Sequence, residues 1–296
     1  MAVPESSEPD SYWSMLPALT SVLSAFAHSL SEWEGLGFVE DRGLDATSWV
    51  EPDVFEDPIG IHGSHVRIYA HSTAEIFQSL TALIPQAPLF APEVLARSCL
   101  ESAAACRWLI EPSSTEEKMR RALVDRVWSQ REQIKGLRAI PFADSDDSPH
   151  LGARASADNI AARAAALELH GRECGLLKPD ENAASSRQLI RMTEELLSAS
   201  ILGESVAPVA YRSLSGIAHV NPLAVLSTFP RRSEGFDERE GQYVMFLRDP
   251  QRLAGPLMMA LAACESLVSS LTRSTGRPFE LELLQEAYIL VLGLSR

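Results

Sequence analysis

The chain has 296 residues, 46% of them hydrophobic and 22% charged, with a formal net charge of −14. That apolar share excludes wholesale disorder. No window approaches about 18 uninterrupted apolar residues, and the acidic start MAVPESSEPD lacks the basic region of a secretory signal, so no membrane span or membrane partner is expected. The charge is uneven. Residues 1–60 hold twelve acids against Arg42 alone, while the other 236 residues hold 28 acids and 25 bases, which leaves room for a basic surface in the body of the chain.

Residues 1–10, built from Pro, Ser and Glu, read as a disordered leader. Residues 11–65 form an acidic segment. Its helix runs from Tyr12 to Trp33, with Leu16, Leu19, Leu23, Phe26 and Leu30 at helical spacing and Pro17 expected in the first turn. A Gly-, Pro- and Asp-rich irregular connection follows over residues 35–65. Residues 66–296 then read as one helical bundle. Ile76, Phe77, Leu80 and Ile84 mark a helix face before Pro85, and Pro92 opens a second helix through Cys99, Ala103 and Leu109. Ser114-Thr115-Glu116-Glu117 is a capping box that opens a third helix to about Leu137. The polar stretch 141–151 is a candidate boundary within the bundle.

Beyond it, the spacing predicts helices over about 157–177, 185–200 and 206–218. A second irregular insertion covers 228–250, where Tyr243–Leu247 reads as a short strand, and two last helices cover about 251–272 and 279–292. The expected fold is all-α, with about seven to nine helices and two irregular insertions. Cys99, Cys106, Cys174 and Cys264 form no CxxC pair and read as reduced thiols of a cytoplasmic protein.

The stretch richest in chemistry is Tyr211-Arg212-Ser213-Leu214-Ser215-Gly216-Ile217-Ala218-His219-Val220-Asn221-Pro222. Arg212 and His219 are seven apart, two turns along one helical face. An imidazole moves protons near neutral pH, and a guanidinium grips a phosphate through two parallel hydrogen bonds. Such a pair suits phosphodiester cleavage by a neighbouring 2′-hydroxyl, without a metal or another cofactor. The alternative is structural, with His219 complementing a helix C-terminus and Arg212 solvated.

The Arg-x6-His spacing on a late helix, with its flanks YRSLSGIAHVNP, resembles the HEPN superfamily of helical proteins. The upstream ARSCLESAAACRWLIEP, with Arg97, Glu101 and Trp108, looks like the long helix that accompanies the motif there. The resemblance covers residues 66–225. It implies a helical bundle, homodimerisation and, in active members, metal-independent RNA cleavage, with Arg212 and His219 as the catalytic pair. Ser215 and Asn221, beside them in the stretch, are candidate binding residues. Active nucleases of that superfamily usually place Asn, Asp or His after the Arg. Here Ser213 follows Arg212, which keeps a non-catalytic member that binds RNA or a small phosphate-bearing ligand among the readings.

Three other groupings stand out. Arg67, His71 and Glu75 share one helical stripe, and Arg97 and Glu101 are one turn apart on the next helix; together they make either a polar binding pocket for a small substrate or a structural ion-pair group. His62, His65 and His71 match no metal-ligand motif, and Asp144, Asp146 and Asp147 read as a solvated loop, so no metal site is expected. From Arg97 to Arg138 the chain carries nine bases and six acids around Trp128. That segment either tracks a phosphate backbone or forms a solvated surface helix with an Arg121–Asp125 pair.

Overall fold

The computed structural model describes residues 9–35, 58–86, 90–112, 114–139, 149–179, 188–200, 203–218, 231–237, 241–246, 250–279 and 281–294. Among these residues there are nine α-helices: α1 (Pro9–Gly35), α2 (Pro58–Leu83), α3 (Ala91–Ile110), α4 (Thr115–Arg138), α5 (Pro149–Glu173), α6 (Leu189–Ser198), α7 (Gly203–Ala218), α8 (Ala254–Thr275) and α9 (Glu282–Leu294). The fold class is all-α, as the periodicity predicts. One antiparallel hairpin accompanies the helices, β1 (Arg231–Asp237) and β2 (Gly241–Phe246), with Arg231 opposite Phe246. β2 overlaps the predicted strand. Its partner β1 is not legible as a strand, because RRSEGFD contains Gly235 at a break in register between Ser233 and Phe236.

Two helices start earlier than their sequence signals. α1 begins at Pro9, which puts Pro17 inside the helix, where it removes the hydrogen bond to the Trp13 carbonyl. α2 begins at Pro58 and takes in residues read as irregular, including Gly60 and Gly63. Tertiary partners outweigh the glycine cost of roughly 1 kcal/mol each. Ile61 is buried, His62 Nε2–H donates to the Leu109 carbonyl at 3.0 Å, and His65 Nδ1–H donates to Asp125 Oδ2 at 2.8 Å. α4 forms where the capping box places it, the Ser114 hydroxyl accepting the Glu117 N–H at 3.3 Å. The predicted leader's first eight residues and the Asp144–Asp147 cluster lie outside the described residues.

The described residues fall into two compact units, one drawn from 1–37, 69–107 and 190–296, the other from 38–68 and 108–189. In the first, α1 packs against α9, and α9 against α8. Phe26 of α1 meets Phe77 and Phe279 edge-on, at ring-centroid distances of 5.4 and 5.9 Å. Leu19, Leu23 and Leu30 line α1 on the same buried side, and Leu284, Ala287 and Val291 do so on α9. The stretch Gln251–Thr275, which contains α8, is long and apolar enough to cross a membrane by length and composition, and 72% of its most apolar window is buried. Cys99 and Cys264 are buried here, and the Cys264 thiol is pushed well up by that burial and by its hydrogen bond with Cys99.

In the second unit α4 packs along α5. Leu123, Val124, Val127, Leu167 and Leu177 form the core, and Trp108 packs on its edge. α5 ends in a left-handed Gly175 (φ 75°), with the Leu177 N–H donating back to the Gly171 carbonyl at 2.9 Å. Gly171 is buried tightly: a Cβ there would lie 2.4 Å from Leu123 Cδ2 and 3.1 Å from Leu177 Cδ1. The expected Arg121–Asp125 pair does not form. Arg121 reaches the other way to Glu117 at 3.0 Å, donates to the Trp108 carbonyl and lies over the Trp108 ring at 5.2 Å. Asp125 faces inward, 1% exposed, and is taken by His65.

Candidate functional site

α7 carries the first half of the motif. Tyr211, Leu214 and Ile217 fall at spacings of three, the inward stripe of a helix, and all three are buried. Arg212 and Ser213 occupy the opposite face and are exposed, while Ser215 is half-buried between the two. α7 ends at Ala218; His219 and Asn221 lie outside the described residues.

On α3, one turn separates Arg97 from Glu101, and the expected pair forms with Arg97 Nε 2.7 Å from Glu101 Oε1. Each side chain keeps about a quarter or less of its surface in solvent. The same carboxylate oxygen accepts the Tyr211 hydroxyl at 2.9 Å. Sequence reasoning passed over Tyr211 as a site residue, although it opens the quoted motif and sits at the head of the buried stripe. One carboxylate oxygen therefore serves two donors, and this trio joins α3 to α7.

The electrostatics suit anchoring. Burial, the charge of Glu101 and the hydrogen bond with it push the Tyr211 phenol up to about 12, with Arg97 pulling the other way. The phenol is thus a standing hydrogen-bond donor at neutral pH rather than a base. Burial works against the charge on Arg97, and the hydrogen bond and charge of Glu101 outweigh it, so its pKa rises. His71 is exposed and faces Glu75 within α2, Nε2 to Oε1 at 3.3 Å.

The other histidines of the α2 region have structural partners already named, and among the described residues no group of three or more His, Cys, Asp or Glu side chains is placed to hold a metal ion. The basic run on α3 and α4 is laced with acids. Arg120 and Arg121 pair with Glu117, Lys135 with Glu132, and Arg131 with Glu168 of α5. Paired in this way, those cations form a mixed-charge surface more than a phosphate track.

Comparison with known proteins returns no matching family model, no matching curated protein and no matching solved structure.

Proposed function

We propose that this chain is a HEPN-like protein that acts on RNA without a metal, with Arg212 and His219 as its working pair, in a cytoplasmic homodimer. The observation that carries this reading is the two-sided character of α7. Tyr211 is tied inward to Glu101 and Arg97, and the adjacent Arg212 stands exposed on the outward face. A guanidinium displayed on a helix whose rotation is fixed from behind is suited to hold a phosphate in a set direction. In this reading His219 exchanges protons with the attacking 2′-hydroxyl and the leaving 5′-oxygen, and Arg212 stabilises the charge that builds on the phosphate.

The engagement of Arg97, Glu101 and Tyr211 with one another, together with Ser213, favours a second reading: a non-catalytic member that binds RNA or a phosphate-bearing ligand, or a helical scaffold. In either case Arg97, Glu101 and Tyr211 position α7, and His71 pairs with Glu75 on α2.

The deciding experiment incubates the full chain with mixed-sequence RNA, with and without EDTA. Wild-type cleavage should survive EDTA, and His219→Ala and Arg212→Ala should each slow it on the order of 100-fold or more while leaving thermal unfolding unchanged. Cleavage that EDTA abolishes, or that persists in His219→Ala, refutes the catalytic reading. Salt-dependent RNA binding without cleavage, weakened by Arg212→Ala, establishes the second reading instead.

A further inference from the structure

The first unit contains a cavity of about 200 Å³ that the α7 motif does not use. Arg107 from the last turn of α3 and Arg273 from the last turn of α8 both line it. Glu265 of α8 and the hydroxyl-bearing Ser200, Ser266 and Ser269 complete its polar wall. Glu265 is not left to turn freely: its Oε2 accepts the Tyr288 hydroxyl of α9 at 2.7 Å. Burial and this partner push the Tyr288 phenol upward, so the hydroxyl stays a donor to the carboxylate. Arg273 Nε donates to the Ser269 carbonyl at 3.3 Å, and the remaining guanidinium N–H groups are left for other acceptors.

The size and the charges restrict the occupant. Pockets that bury drug-sized molecules run from roughly 300 to 1,000 Å³, so this one suits a much smaller ligand. A guanidinium carries five N–H donors, so Arg273 and Arg107 can each add a carboxylate or other oxyanion to the partners they already have, through forked hydrogen bonds. A simple oxyanion would also face the fixed carboxylate of Glu265 and be repelled by it. A ligand that pairs its own anion with an ammonium group satisfies both signs at once. The serine hydroxyls can serve either end, and Leu196 and Ala262 offer an apolar wall for a short side chain.

We propose that this cavity binds a small zwitterion of the α-amino-acid class, its carboxylate held by Arg107 and Arg273 and its ammonium by Glu265. The site is independent of the RNA reading and uses none of its residues.

The test uses the full chain and titrates the twenty L-amino acids one at a time, by calorimetry and by thermal shift. Acetate and butylamine serve as probes carrying only one of the two charges. At least one amino acid should bind with a Kd of about 10 μM to 1 mM, as expected for so few ligand atoms, and should raise Tm by a few degrees near saturation. Acetate and butylamine at equal concentration should not. Arg273→Ala, at an exposed position whose loss leaves the core intact, should weaken that binding roughly 10- to 100-fold, as should Arg107→Ala and Glu265→Gln. Circular dichroism confirms that each variant is folded, and Arg273→Ala decides the matter if Glu265→Gln is not. The proposal is overturned if no amino acid binds, if acetate or butylamine binds as well as any amino acid, or if Arg273→Ala leaves affinity unchanged.

Discussion

Glu93→Gln should stabilise the protein at pH 8 and leave it nearly unchanged near pH 4.5. Glu93 lies in the first turn of α3 with a side chain only 6% exposed, and its Oε2 is buried without a hydrogen-bond partner. Arg252 offers its Nη2 at 3.8 Å from Oε1, close enough to help and too far for a hydrogen bond. Burial therefore dominates and lifts the carboxyl from its ordinary 4.5 to about 7, with the hydrogen bond to its own backbone N–H and the charge of Arg252 holding it back. The folded state thus holds this proton more tightly than the unfolded chain does. Its contribution is fully present below about pH 4.5 and is lost as pH rises through about 7. The gap between those two values, at roughly 1.4 kcal/mol per pH unit, corresponds to about 3 kcal/mol. Glutamine imitates the neutral acid at every pH and removes that loss. Urea unfolding of both proteins at pH 4.5 and pH 8, followed by circular dichroism at fixed ionic strength, isolates the effect, because every other titrating group cancels in the difference. A variant no more stable than wild type at pH 8, or an equal gain at both pH values, refutes the reasoning.

Tyr211→Phe should cost about 1 kcal/mol, since it removes one hydrogen bond to a partly solvated carboxylate and keeps the ring. In a double-mutant cycle with Glu101→Ala, thermal unfolding should show that the two losses overlap; additive losses would mean that the trio does not join α3 to α7. Gly171→Ala should destabilise by about 1–2 kcal/mol, because the clash with Leu123 and Leu177 exceeds the helix-propensity gain of roughly 1 kcal/mol. A higher Tm would show that these side chains yield freely.

The features legible in the sequence are those whose causes lie within a few residues. Ser114 and Glu117 sit three apart and form the cap that starts α4, and Arg97 and Glu101 sit four apart and pair as their spacing suggests. Where two local options compete, spacing alone gives no answer: Arg121 has a carboxylate four residues to either side, and the burial of Asp125 against His65 decides for Glu117. The features that sequence reading missed depend on distant partners. Tyr211 finds Glu101 across 110 positions, and His65 finds Asp125 across 60. The extra turns at the start of α2 belong to this class as well, since contacts from α3 and α4 hold glycine-containing backbone that local propensity would leave irregular.

The pairing of α1 with α9 sets a schedule for the chain as it leaves the ribosome. α1 is complete at Gly35, and its partner does not begin until Glu282. At about 5–20 residues per second, on the order of 10–50 s separate the two. Throughout that interval α1 lacks α9 as a partner, so the part of its apolar side that α9 covers stays open to a holding chaperone until Glu282–Leu294 has emerged. The packing of α1 is finished long after the helix itself is made.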